Sequence, residues 1–240
     1  MSVMPRTVHA ETLDHLPANH PAAQGSRQDL LRVHHAMDTR GIVTGGWRQL
    51  LPRPPSDRPL RILELGAGDG RLLLAVAQAL SPDWPPVQLT LLDRLDLVHP
   101  TTVAAYARMG WSVDKQVLDV LDWAATDAGP RWDLISTTLF LHHFEGAPLA
   151  TMLQAVADRG DRFFACEPRR GWPALAGSHL VRVLGANAVT RHDAVLSVRA
   201  GFRSRELTDL WPGAAALWRL NEGAAGLFSH CFSALRAGVG

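Results

Sequence analysis

The residues with chemistry in them fall just after apolar runs. Glu64 and Asp69 sit in Leu63-Glu64-Leu65-Gly66-Ala67-Gly68-Asp69-Gly70. Asp93 closes the run from Val87 to Leu92, and Asp119 follows Ser112 to Leu118. His142 and His143 come directly after Thr138-Leu139-Phe140-Leu141, and Glu167 follows Arg162 to Cys166. Glycines let a backbone turn tightly and let a ligand approach without Cβ clashes. A carboxylate at the end of a strand can accept both hydroxyls of a ribose. An imidazole titrates near neutrality and suits removal of a proton. Together these are parts for holding a nucleoside and for a displacement beside it.

The charge of the loop narrows the nucleoside. Its spacing is G-x-G-x-G, not the G-x-G-x-x-G of dinucleotide enzymes. A loop that cradles a pyrophosphate offers N–H groups and avoids acids. Glu64 and Asp69 suit a ligand with an ammonium and a sulfonium instead, and S-adenosylmethionine has both and no phosphate. Asp119 suits the adenine amino group, with the Val120 N–H toward a ring nitrogen. Asp122 competes for that role, and either acid could simply cap a helix. The glycines, too, could form a plain strand-to-helix turn.

These residues need strands and helices to position them. Arg61 to Leu65 reads as a buried strand and Arg71 to Leu80 as a helix. Val87 to Leu92, Ser112 to Leu118, Trp132 to Leu139 and Arg162 to Cys166 read as further strands. Thr101 to Met109 and Pro148 to Asp158 read as the helices between them. Alternation of this kind implies right-handed crossovers and a parallel sheet. Before it, residues 1 to 25 show no period and read as a loose or partly ordered arm. Ser26 opens a helix that Gly41 ends, and a second short helix covers Gly46 to Leu51. Pro52 to Pro59 is a stiff linker. After residue 170 the rhythm changes. Residues 171 to 189 form an apolar helical stretch, Arg191 to Arg199 another helix, and Leu217 to Asn221 with Leu227 to Leu235 a pair of strands.

Composition excludes several classes. The chain has 240 residues, 47% of them hydrophobic, enough for one full core with modest extensions. A net charge of +1 and the lack of a Lys/Arg run argue against a nucleic-acid partner. Cys166 and Cys231 are far apart and make no metal-ligand or disulfide pattern, which fits a reducing cytoplasm. No run approaches the roughly 20 apolar residues of a membrane helix.

Residues 60 to 145 resemble class I S-adenosylmethionine-dependent methyltransferases through Leu63 to Gly70, Leu91-Leu92-Asp93, Leu118-Asp119-Val120 and Trp132 through Leu139. The resemblance implies an α/β, Rossmann-like methyltransferase fold. Its sheet is mostly parallel and seven-stranded, with a C-terminal antiparallel hairpin and, here, an N-terminal helical extension. Residues 1–59 would be arm and lid, 60–240 the cofactor domain, and 171–203 an insertion covering substrate. The cofactor residues it implies are Glu64, Gly66, Ala67, Gly68, Asp69 and Gly70 around the methionine moiety. Asp93 and Arg94 follow at the ribose, Asp119 and Val120 at the adenine, and Leu139 nearby. Leu141-His142-His143-Phe144, Glu167-Pro168-Arg169-Arg170 and Arg191-His192-Asp193 loosely resemble small bacterial methyltransferases of aromatic or polyketide metabolites.

The acceptor side rests on His142, His143 and Glu167, with His142 or His143 as base and Glu167 orienting a ring or binding substrate. Each also has a structural reading: a loop-ordering histidine, or a carboxylate paired with Arg169 or Arg170. His192 is a further candidate. Trp172, Leu175, Leu180, Val181 and Leu184 are expected to roof an apolar pocket. The signatures of DNA amino, cytosine C5, arginine and metal-dependent catechol methyltransferases are missing, so no metal is expected. The expectation is therefore transfer of a methyl group to a hydroxyl of a small apolar metabolite, in secondary metabolism, by a cytoplasmic protein for which a homodimer is one open arrangement. Rival readings are C- or N-methylation, a non-catalytic cofactor-binding subunit, and a nicotinamide oxidoreductase.

Overall fold

A computed structural model describes residues 4–52, 57–126, 129, 131–213 and 215–239. Residues 1–3 of the arm and 53–56 of the proline-rich linker lie outside the described residues. The core strands are β1 (Leu60–Leu65), β2 (Val87–Asp93), β3 (Trp111–Val117), β4 (Leu134–Thr138) and β5 (Arg162–Pro168), followed by β6 (Trp218–Ala225) and β7 (Ser229–Arg236). They form one sheet in the order β3-β2-β1-β4-β5-β7-β6. β1 to β5 pair in parallel, and β7 inserts antiparallel between β5 and β6. Leu60, Ile62, Leu63 and Leu65 are buried without alternation, as a central strand covered on both faces requires.

The helices are α1 (Thr12–His15), α2 (Pro21–Ala36), α3 (Thr39–Leu50), α4 (Arg71–Leu80), α5 (Pro100–Ala107), α6 (Val120–Ala125), α7 (Gly146–Arg159), α8 (Trp172–Leu180), α9 (Ala188–Ala200) and α10 (Glu206–Leu210). One core joins the sheet to α3, α4 and α5, with Val43, Trp47, Leu73, Val76 and Tyr106 at its centre. The other joins it to α6, α7 and α10, through Trp123, Leu149, Met152, Leu207 and Trp211. Among the described residues, no helix is long and apolar enough to cross a membrane.

Several expectations from sequence shift here. The helix opened at Ser26 starts earlier, at Pro21, where proline needs no N–H partner in the first turn. Gly41 does not end it. Asp38, in the left-handed region at φ 51°, accepts from the Gly41 N–H and starts α3. α3 is core rather than cover: Trp47 is fully buried and donates its indole N–H to Ser136 Oγ at 3.2 Å. The arm is not loose. Its Arg6 donates to the carbonyls of Ala200 and Phe144, each at 2.8 Å, and lies over the Phe202 ring. Asp193 of α9 accepts the backbone N–H groups of Thr12 and Leu13 at the start of α1. Cys166 and Cys231, remote in sequence, stand opposite each other on β5 and β7 as free thiols.

Candidate active site

Above the carboxyl ends of β1, β2 and β4 lies a cavity of about 540 Å³, the size of a small-molecule site. The glycine loop forms its floor. Gly66 and Gly68 hold φ of 70° and 56°, which side chains rarely adopt. A Cβ at Gly66 would collide with the Phe140 ring, whereas the space over Gly68 is open. The loop thus packs on one side and stays clear on the other. Asp93 braces it: Oδ2 accepts the Gly68 N–H at 2.8 Å and Oδ1 the Leu95 N–H at 2.9 Å. A carboxylate keeps further lone pairs for a ligand.

Glu64 is 3% exposed, and its Oε2 has no hydrogen-bond partner. Burial pushes its carboxyl up to about 7, against opposing hydrogen bonds from Ser136 and Thr138. An acid so placed at a cavity wall is short of a cation. Asp69 also lines the cavity, but its two oxygens accept the N–H and the Nε–H of Arg71. Asp119 caps α6 through the Leu121 N–H at 2.8 Å and lines the cavity together with Val120, whereas Asp122 does not line it. Gly70 lies off the lining. It starts α4 at φ 72°, and its carbonyl accepts the Tyr106 hydroxyl. Arg94 lines the cavity but donates to Asp14 of the arm. Leu139, also at the cavity, holds φ 54° while its N–H donates to the Cys166 carbonyl. That is a costly conformation for a leucine, set where the chain turns off β4.

The turn Leu141–His143 carries both histidines. Glu167, fully buried at the end of β5, accepts the N–H groups of Phe140, Leu141 and His142 and sits 2.8 Å from His142 Nδ1. It does not line the cavity itself; it fixes the ring that does. His142 Nε2 is buried, without a hydrogen-bond partner, 3.4 Å from Glu11 Oε1 of the arm. Burial works against a charge on His142, but Glu11 and Glu167 outweigh it and raise its pKa to about 9. His143 Nδ1 lies 3.2 Å from Asp14 Oδ2. Desolvation opposes ionisation of Glu11 and Asp14, yet the histidines hold both acids below their ordinary range.

The structure therefore brings together most of the residues singled out from sequence, and adds others. Glu11, Asp14, Leu30, His34 and Ser197 line the same cavity. Burial lowers His34 to about 4, leaving a neutral ring at the wall. Sequence gave little warning of these positions, because the arm has no period and its partners lie far along the chain. The expected roof is a correction. Trp172, Leu175, Leu180, Val181 and Leu184 do not line the cavity, and Trp172 and Leu180 are 58% and 63% exposed. α8 packs on α9 and on the turn after it. From 171–203, only Ser197 reaches the cavity. His192 is exposed on α9.

No protein-family model matches the chain, and no curated protein sequence matches it significantly. Solved structures do. The plantazolicin methyltransferase BpumL, in complex with a monoazolic desmethylPZN analog and SAH, superposes with a TM-score of 0.65 at 12% identity, over 90% of this chain and 91% of that one. An O-methyltransferase family protein from Burkholderia thailandensis gives 0.55 at 16%, over 91% of this chain and 61% of its own. The pyocyanin biosynthetic protein PhzM gives 0.55 at 18%, over 94% and 60%. The fold is that of the class I methyltransferases: seven strands, with the last antiparallel strand inserted beside β5.

Proposed function

We propose that the chain is an S-adenosylmethionine-dependent methyltransferase acting on a hydroxyl of a small, largely apolar aromatic or polyketide metabolite. One observation carries this reading: a single cavity joins Glu64, Gly68, Asp93 and Asp119 to His142 and His143. The open face over Gly68 and the unpartnered oxygen of Glu64 fit a cofactor whose methionine end is cationic. Glu64 and the loop would hold that end, with Asp93 at the ribose and Asp119 and Val120 at the adenine. Bound there, the cofactor would supply an electrophilic methyl group on a positively charged sulfur.

The chain's own residues would do the rest. Phe140, Phe144 and Leu30 wall the cavity and exclude water from a displacement in which charge is neutralised. Glu167 fixes the His142 ring, and His143 stands beside it as the base to which an acceptor oxygen would shed its proton. Alignment of the three reacting atoms supplies a large part of the rate. The reading extends to a role in secondary metabolism in the cytoplasm, with a small molecule and no nucleic acid as partner.

Calorimetry with S-adenosylhomocysteine, followed by labelled S-adenosylmethionine against a panel of phenols, polyketides and amines, tests it. The expected result is a methyl ether. His142→Ala and His143→Ala variants should turn over about 10²–10⁴-fold more slowly at unchanged cofactor affinity. Carbon- or nitrogen-methylated products would move the reading to another acceptor atom. Tight binding with no product from any acceptor class would make the chain a cofactor-binding subunit.

A further inference from the structure

We propose that Glu11, His142 and His143 form a binding site for one divalent transition-metal ion of the zinc class, facing the acceptor side of the cavity. Each offers one ligand atom, and the three atoms all lie within 4.8 Å of one another. Glu11 Oε1 and His142 Nε2 are 3.4 Å apart. Two ligands of a tetrahedral zinc ion, with bonds near 2.0–2.1 Å, are separated by about 3.3 Å. That edge is already formed, and the His143 ligand atom lies within 4.8 Å of both others.

Ring orientation adds an independent observation. A histidine bound to a metal through one nitrogen usually gives the other to a carboxylate, which fixes the ring and strengthens the ligand. Both histidines have this arrangement. His142 Nδ1 is 2.8 Å from Glu167, and His143 Nδ1 is 3.2 Å from Asp14. The Nε2 of His142 is thereby left for another partner, and it is buried without a hydrogen bond. The cluster is sheltered, unlike a chance group of surface acids: the side chains of Glu11, His142 and His143 are 12%, 4% and 22% exposed. Two histidines and one carboxylate are a ligand set that leaves a coordination position open.

Sequence alone could not assemble this set, because its carboxylate comes from the arm. The expectation of no metal rested on the missing signature of metal-dependent catechol enzymes, and Glu11 is remote in sequence from the histidine pair. The site's use rests on the acceptor reading of this cavity; its existence does not. With both rings on the metal neither acts as the base, and an acceptor hydroxyl at the open position would be acidified by the ion and release its proton to solvent as it binds, before the displacement. Its oxygen would then form the bond to the methyl carbon as the carbon–sulfur bond breaks.

Full-length protein stripped with a chelator would be titrated with zinc by calorimetry and with cobalt(II) by visible absorption. One equivalent of each should bind, with the cobalt spectrum of a four-coordinate site. Glu11→Gln and His143→Ala should each weaken zinc binding by more than tenfold. Asp14→Ala should weaken it about 10–100-fold, since it only frees the His143 ring. Glu11 and Asp14 lie on the arm, so these variants remain informative if a change at His142 fails to fold. Zinc binding well below one equivalent, or binding that none of these changes affects, would overturn the site. S-adenosylhomocysteine binding by the same samples keeps this result separate from the cofactor reading.

Discussion

Glu167 Oε2 lies 2.8 Å from His142 Nδ1, while Oε1 of the same carboxylate accepts the Phe140 and Leu141 N–H groups at 3.1 and 2.9 Å. One buried acid thus holds both the turn after β4 and the ring that turn presents. Glu167→Ala would leave these N–H groups unpaired in the interior. Unsatisfied buried donors cost on the order of 1–3 kcal/mol each, so the loss should reach about 3–5 kcal/mol in urea unfolding. Glu167→Gln keeps an acceptor oxygen and should lose less. A loss under about 1 kcal/mol for the alanine variant would show that the turn holds itself.

Glu64 should make stability depend on pH. Its carboxyl is raised to about 7 in the folded chain from an ordinary 4.5. A raised acid contributes its full stability below pH 4.5 and loses it progressively as pH rises through about 7. The difference amounts to about 3 kcal/mol between those limits. Glu64→Gln should flatten this part of the profile and be the more stable form at pH 8. Chemical denaturation across pH 4.5–8 measures both, and parallel profiles for the two proteins would refute the assignment.

The same acid should tie proton release to cofactor binding. A ligand ammonium near Glu64 favours its charged form, so S-adenosylhomocysteine should expel a proton near pH 6.5. Calorimetry in buffers of different ionisation enthalpy reads this directly. Release that persists in Glu64→Gln would place it at another group.

Asp93 joins the loop to the side proposed for the ribose. Hydrogen bonds to a charged group contribute about 1.5–3 kcal/mol. Asp93→Ala should therefore weaken S-adenosylhomocysteine by about 10–100-fold, with Asp93→Asn between it and the wild type. Equal dissociation constants for all three would remove Asp93 from the site.

The arm should matter to the acceptor and not to the cofactor. Deleting residues 1–15 removes Arg6, Glu11 and Asp14 but leaves α3 and its buried Trp47 in place. Cofactor affinity should stay within about threefold, while methyl transfer falls by about 10–100-fold as water enters and the acceptor loses its wall. Unchanged turnover by a folded truncated protein would limit the arm to packing.

The glycine-loop side of the cavity was legible because its determinants are local. Strand, loop and helix follow one another around Gly66 to Gly70, and Asp93 and Asp119 end their own strands. The acceptor side was not, because its contacts cross the chain. Glu11 meets His142, and Asp193 caps α1 from α9. The apolar spacing of Trp172 to Leu184 was real, but periodicity states only that a face is apolar and not what lies against it. Two of those residues stay largely exposed.

The division of labour around the cavity has a consequence for how such a chain can be re-engineered. Everything proposed for the nucleoside comes from the ends of β1, β2 and β3, whereas Glu11, Asp14, Leu30 and His34 come from before residue 40. The arm meets the rest through a few polar anchors, chiefly Arg6 on two carbonyls and Asp193 on two N–H groups. Those anchors, with Glu11 and Asp14 kept for the histidines and Arg94, leave His9, Ala10, Leu13 and His15 open to replacement. A library confined to these four positions would vary that wall of the cavity while the glycine loop and Asp93 stay as they are, which makes this short segment a natural graft point.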